Sequence, residues 1–165
     1  MRPFSIKCAM VKYRRLSGDE LQELEQEFKQ YLITNGIYDE EWRVMNTENP
    51  TKAVELVDLF SDLVMDKALS KIKYIVHRTK STLDFFWFQE KNAIMIGLTS
   101  HSERVDFKKE NFFSSIPEDF NQIKYFRSDK KVIDRNLELF EMLNKGCEIV
   151  DQKFYDLMNQ LTQIT

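Results

Sequence analysis

Period-two alternation of apolar and polar side chains is confined to one stretch, Lys71 to Thr99, which reads KIKYIVHRTK, then TLDFFWF, then AIMIGLTS. Short runs of β-branched and aromatic residues in this rhythm predict strands. The few polar residues between the runs predict tight connections, so the stretch is read as an antiparallel meander. Successive strand residues point to opposite faces. By parity, Ile72, Tyr74, Val76, Leu83, Phe85, Trp87, Ile94, Ile96 and Leu98 form a continuously apolar face that helices must bury. The other face is mixed: Lys73, Ile75 and His77 lie with Phe86 and Phe88, and with Met95, Gly97 and Thr99. A solvated sheet face is ordinarily polar, so this second face is expected to be partly covered or used.

Elsewhere the period is that of a helix. Ser17 and Glu20 make a capping box between Leu16 and Leu21, and the stripe Leu21, Leu24, Phe28, Tyr31, Leu32 runs to an Asn35-Gly36 stop. These signals predict a helix over 17–35. Asp39 is placed as the cap of a short helix through Trp42 and Met45. Asn49-Pro50 opens a longer one, reaching Leu69, whose buried side is expected to carry Ala53, Leu56, Val57, Phe60, Leu63 and Val64. Beyond the meander, Val105 and Phe107 offer a fourth, edge strand, and Ser115-Ile116-Pro117-Glu118 a short helix or turn. Val132, Ile133, Leu137, Phe140 and Leu143 predict a helix stopped by Gly146, and a last helix begins at Asp151 with Phe154, Leu157, Met158 and Leu161 inward. The expected fold is α+β: a three- to four-stranded antiparallel meander packed by N-terminal and C-terminal helices.

Composition fits that picture and narrows the function classes. A chain of 165 residues with 42% hydrophobic and 31% charged residues can bury a core, and it lacks the long apolar run of a membrane span. The charge balance of 24 basic against 27 acidic residues recruits neither nucleic acid nor an anionic membrane by bulk electrostatics. Thirteen phenylalanines exceed the needs of a core this size, which leaves aromatic surface for a partner. Cys8 and Cys147 are read as reduced thiols of a cytosolic protein. Met1–Ala9 has neither a signal-peptide core nor enough apolar side chains to dock; it is expected to be a disordered extension, with residues 10–165 forming a single domain.

The segments MVKYRRLSGDELQELEQEF, VDLFSDLVMDKALSKIKYI and NKGCEIVDQKFYDLMNQL together resemble an uncharacterised family of small proteins found in Bacteroidetes, a domain of unknown function. The resemblance runs from Met10 to Leu161. It implies a bacterial, cytosolic, single-domain protein and carries over no activity, cofactor or catalytic residue.

Chemistry-bearing residues are few. Asp58, Asp62 and Asp66 recur at every fourth position of the long helix, with Glu55 a turn before. Like charges so spaced destabilise an isolated helix by a few tenths of a kcal/mol each and require a compensating cation. Mg²⁺ or Ca²⁺ on the carboxylates is one candidate, giving a metal-binding or metal-assisted hydrolase domain helped by His77 or Glu55. A lysine or arginine from elsewhere along a polar face is the other and the preferred one, because one helix seldom completes a metal shell. His77 and His101 fit no ligand spacing. Cys147 is read as a small structural side chain packed on the last turn before Gly146, in preference to a nucleophile paired with histidine. The four glycines are isolated, which excludes the phosphate-binding loops GxGxxG and GxxxxGKS/T. No catalytic residue and no cofactor is assigned.

Lys73, His77, Phe86 and Phe88 bring cations and rings together as base stacking requires, and Lys124, Arg127, Lys130, Lys131 and Arg135 form a second basic group. A net charge of −3 and the absence of an RNP-like string count against that use. The reading that remains is a non-enzymatic, cytosolic protein–protein interaction module. It would meet an unknown protein partner or a second copy through Ile75, Phe86, Phe88 and Met95. A metal on Asp58, Asp62 and Asp66 is the first alternative, and single-stranded nucleic acid the second.

Overall fold

The computed structural model describes residues 11–116 and 120–163. The expected extension Met1–Ala9 with its Cys8, and part of the turn expected at 115–118, lie outside them. Contacts divide the chain into two compact units, Met1–Ala68 and Leu69–Thr165. Among the described residues there are six α-helices and five strands, an α+β composition.

The first unit is helical. Ser17 Oγ accepts the Glu20 amide at 3.2 Å and Glu20 Oε2 accepts the Ser17 amide at 2.8 Å, so the expected capping box opens α1, Gly18–Glu23. The single helix expected to Asn35 is broken at Leu24 (φ −102°, ψ 23°), and α2 follows as Glu25–Thr34. Gly36 at φ 75° ends it: the Ile37 amide reaches back to Leu32 O and the Gly36 amide to Ile33 O, the two bonds of a Schellman stop. Helix α3, Asp39–Glu48, starts at its expected cap, because Glu41 Oε2 accepts the Tyr38 amide at 3.0 Å and makes Tyr38, one residue earlier, the cap. Helix α4 is Pro50–Ser70, with Asn49 before the proline. Phe28 centres the packing, edge-on to Trp42 at 5.3 Å and tilted against Phe60 at 5.0 Å.

In the second unit β1 (Tyr74–Arg78), β2 (Thr82–Phe88) and β3 (Asn92–Ser100) form the expected meander. The sheet has five strands in the order β4-β3-β2-β1-β5, each neighbouring pair antiparallel. The added strands differ from expectation. The edge strand β4 is Ile123–Lys131, whereas Val105 and Phe107 lie outside any strand and are buried against the first face. β5, Glu148–Val150, pairs with β1 on the other edge.

On the first face, Tyr74, Val76, Leu83, Phe85, Ile96 and Leu98 join Phe107, Phe112 and Met158 in one buried cluster. Phe112 belongs to a 3₁₀ turn, Phe112–Ser115, and Met158 to the last helix, α6, Gln152–Gln163. Leu157 of that helix, expected inward, is 37% exposed because it sits to the side of the stripe through Phe154, Met158 and Leu161.

The second face is crossed by α5, Arg135–Asn144. This helix links the two edge strands and so must traverse the sheet. Register puts Lys130 on the same side as Ala93 and Phe88, and Lys130 Nζ holds Glu138 Oε2 at 2.7 Å, which fixes the crossing on the second face. Four strand spacings of about 4.8 Å separate β4 from β5. A ten-residue helix supplies roughly 15 Å of that span and its flanks the rest. Leu139 on the helix is fully buried, whereas Ile133, expected in its stripe, is wholly exposed, since it precedes the cap Asp134.

Candidate functional site

The acidic stripe of α4 is satisfied within the first unit. A non-helical segment, residues 12–16, bends along it and meets every carboxylate of the three. Asp58 takes Arg15 in a two-pronged pair, with Nε to Oδ1 at 2.5 Å and Nη2 to Oδ2 at 2.9 Å. Asp62 accepts the main-chain amides of Lys12 (2.9 Å to Oδ2) and Tyr13 (3.2 Å to Oδ1). Asp66 accepts the Tyr13 hydroxyl and faces Lys12 Nζ at 3.6 Å. Between them Ser61, fully buried, accepts the Leu16 amide at 3.1 Å and donates to Val57 O at 2.7 Å. Burial, followed by the bond to Asp66, pushes the Tyr13 phenol up to about 12. The compensating cations asked for by the sequence pattern are therefore Arg15 and Lys12. Among the described residues no group of three or more His, Cys, Asp or Glu side chains is arranged to hold a metal ion. The docked segment also widens the buried side of the helix: Ala53 and Phe60 are buried as expected, Asp58 and Ser61 are buried with them, and of the expected stripe Leu63 is 55% exposed.

On the sheet, the four residues expected to form an interface divide. Ile75 and Phe88 are 0% and 3% exposed and belong to the interior; Phe86 and Met95 are half-buried. The correction has a physical cause, the helical crossing of the second face, which a parity argument confined to the meander cannot see. An apolar face in want of a partner is thus not what the second unit presents.

One polar row does run across that face. His77 pairs with Asp84, Asp84 with Gly97 and Gly97 with Phe126, and continuing the β1–β5 register by one residue places Cys147 beside His77. The order Cys, His, Asp is that of a nucleophile, base and orienting acid. The electrostatics oppose the role. Burial pushes the Cys147 thiol up, and the carboxylates of Asp84 and Glu148 push it further the same way. Burial also raises the Asp84 carboxyl, which nearby His77 partly offsets. A nucleophilic cysteine requires the opposite shift. The Cys147 main-chain amide closes the Schellman stop of α5 on Met142 O at 3.1 Å, after Gly146 at φ 97°, and its side chain is half-buried. At the end of the row the Phe126 ring lies over Gly97, where a Cβ would stand 2.0 Å from Phe126 Cε1; only glycine admits this approach.

The remaining feature is β4. All nine of its residues pair with β3 on the inner side, and among the described residues its outer side carries no strand. From Phe126 to Lys131 every residue is exposed. Lys124, Arg127, Lys130 and Lys131 sit on it against a single carboxylate, Asp129. Lys130 is paired with Glu138, whereas among the described residues Lys124, Arg127 and Lys131 face no carboxylate within ion-pair distance. Arg135, grouped with these cations by sequence, belongs elsewhere. Half-buried, it donates to the carbonyls of Gln89 and Leu69, each at 3.2 Å, and of Ile72, and so pins α5 to the sheet. Sequence reasoning missed β4 because its polar residues resemble a loop; the alternation Ile123, Tyr125 against Lys124 was its one signal.

Among the described residues the fold and these surfaces define an α+β protein built on a five-stranded antiparallel sheet with one long edge that no strand covers. The chain belongs to DUF6495, a family of unknown function, whose model matches residues 10–163. Comparison with curated proteins and with solved structures gives no match. No helix among the described residues is long and apolar enough to cross a membrane.

Proposed function

We propose that this protein is a non-enzymatic binding protein that receives an extended segment of a protein partner along the outer edge of β4. The observation that carries the reading is the length and bareness of that edge, nine residues, Ile123–Lys131, without an outer neighbour among the described residues. Strand edges of this kind are normally shortened, bulged or covered, because their unpaired amides and carbonyls invite another chain. Where such an edge is left open, main-chain bonds supply affinity and alternate side chains supply selectivity. Tyr125 and Phe126 give β4 aromatic surface that an edge blunted only with lysine lacks. The reading keeps the protein–protein contact expected from the sequence but moves it from the second face to the edge. It retains the cytosolic setting and the Bacteroidetes origin that the resemblance implies, and it treats residues 10–165 as one functional domain.

Selection of displayed random peptides on the immobilised full chain tests this, with the recovered peptides mapped on the ¹⁵N-labelled protein. Extended peptides that shift and protect the amides of Ile123–Lys131 are expected. Recovery of none, or binders that map elsewhere, would refute the assignment.

A further inference from the structure

The charge of β4 runs against that of the chain. A protein with 27 acidic and 24 basic residues places four cations and one carboxylate on the nine residues of its open edge. Register distributes them to both sides: Lys124 and Lys130 lie on the second face with Phe126 between them, and Arg127 and Lys131 on the first. An added strand would therefore find a cation near it on either face, whichever way its side chains alternate.

From this we infer that the segment received by β4 is an acidic one, with carboxylates at alternate positions and an apolar side chain opposite Phe126. The inference rests on the reading of β4 as a docking edge and adds the chemistry of the occupant. A second copy of this chain is the poorer fit, because its β4 would bring the same excess of cations against this one, and like charges directly opposite destabilise a strand pair. Phe126 is 46% exposed over the bare Cα of Gly97, so an apolar partner side chain can cover the ring without disturbing the core. Electrostatic attraction at such a rim acts mainly on encounter and on choice of partner.

The test uses the full chain and labelled nine-residue peptides in which glutamate alternates with valine and threonine, beside the same peptides with lysine for glutamate and beside a single-stranded oligothymidylate. Fluorescence anisotropy is expected to show binding of the glutamate peptide, weakened by salt, and none of the lysine peptide. In the double variant Arg127→Glu, Lys131→Glu the glutamate peptide should lose about tenfold or more in affinity and the lysine peptide should gain, since rim charges govern selection. Both sites are exposed, and an unchanged circular dichroism spectrum verifies the fold. Equal binding of the two peptides, with amide shifts on β4, overturns the acidic preference while leaving the docking edge intact. Shifts lying off β4 overturn both, and binding of oligothymidylate in place of the glutamate peptide overturns the protein partner.

Discussion

Removing the hydroxyl of Ser61 should loosen the whole segment 12–16, and the structure sets the magnitude. Ser61 is fully buried, its Oγ is the acceptor of the Leu16 amide at 3.1 Å, and Leu16 itself is only 6% exposed. In Ser61→Ala that amide is left without a partner in a site closed to water. An orphaned buried donor costs about 1–3 kcal/mol, whereas the second bond, to Val57 O, adds little because the helix already employs that carbonyl. Thr34→Ala is the matched control: the Thr34 hydroxyl bonds Gln30 O at 2.8 Å on an exposed surface, and its loss orphans nothing. With a urea dependence of about 2 kcal/mol per molar, the Ser61 variant should unfold roughly 0.5–1.5 M earlier than the parent and the Thr34 variant within about 0.25 M of it. Trypsin should also cut faster after Arg14 and Arg15 in the Ser61 variant. If Ser61→Ala shifts the midpoint no further than Thr34→Ala and leaves those bonds protected, the segment is not held on α4 by this contact and the account of the acidic stripe fails.

Other expectations are more compact. The Tyr13 phenol is raised from 10.0 to about 12, so its contribution is complete below its ordinary value and disappears as pH rises through the folded one. Tyr13→Phe should lower stability at neutral pH by about 0.5–1.5 kcal/mol, the worth of one hydrogen bond, and should lessen the parent's alkaline loss of stability, to which the raised Tyr31, Tyr74 and Cys147 also contribute, as read from urea midpoints across pH. Asp84 is raised by burial, so its protonated form favours folding below the ordinary value of 3.8 and the benefit vanishes as pH climbs through the raised one. Asp84→Asn should accordingly melt higher than the parent near neutrality and no higher in acid; a lower neutral melting temperature would show that the ionised group supports the fold. Leu139→Ala, at a position with no exposed surface, should cost about 2–5 kcal/mol in thermal or urea unfolding, and a loss under 1 kcal/mol would mean that α5 does not seal the second face.

Local signals were legible wherever one residue type satisfies one backbone need. The Ser17 capping box, the glycine stops at Gly36 and Gly146, Pro50 at the head of α4 and the three-strand meander all follow from rules that act within a few residues. What escaped depends on contacts distant in sequence. KYRRL shows no period because its side chains are used singly: Arg15 finds a carboxylate 43 positions away, and Tyr13 finds Asp66 53 positions away. That docking inverted the assignment of Leu63, since hydrophobicity says nothing of which face a neighbour will need. β5, with three residues, is too short to show alternation, and Ile149 on it is 59% exposed. The same blindness displaced the candidate site. Ile75 and Phe88 looked unpartnered only while β4 and β5, and hence the traverse between them, were unseen.

That traverse acts as a gauge of fixed length. A single inserted residue in α5 would turn Leu139 about 100° out of the interior, and a whole added turn would overshoot by about 5.4 Å, more than the spacing of one strand. Between Asp134 and Gly146 the chain should tolerate neither change. Gains and losses of residues in DUF6495 should spare this stretch. Alignments of distant members ought therefore to be anchored on the helix, with gaps there treated as evidence against membership.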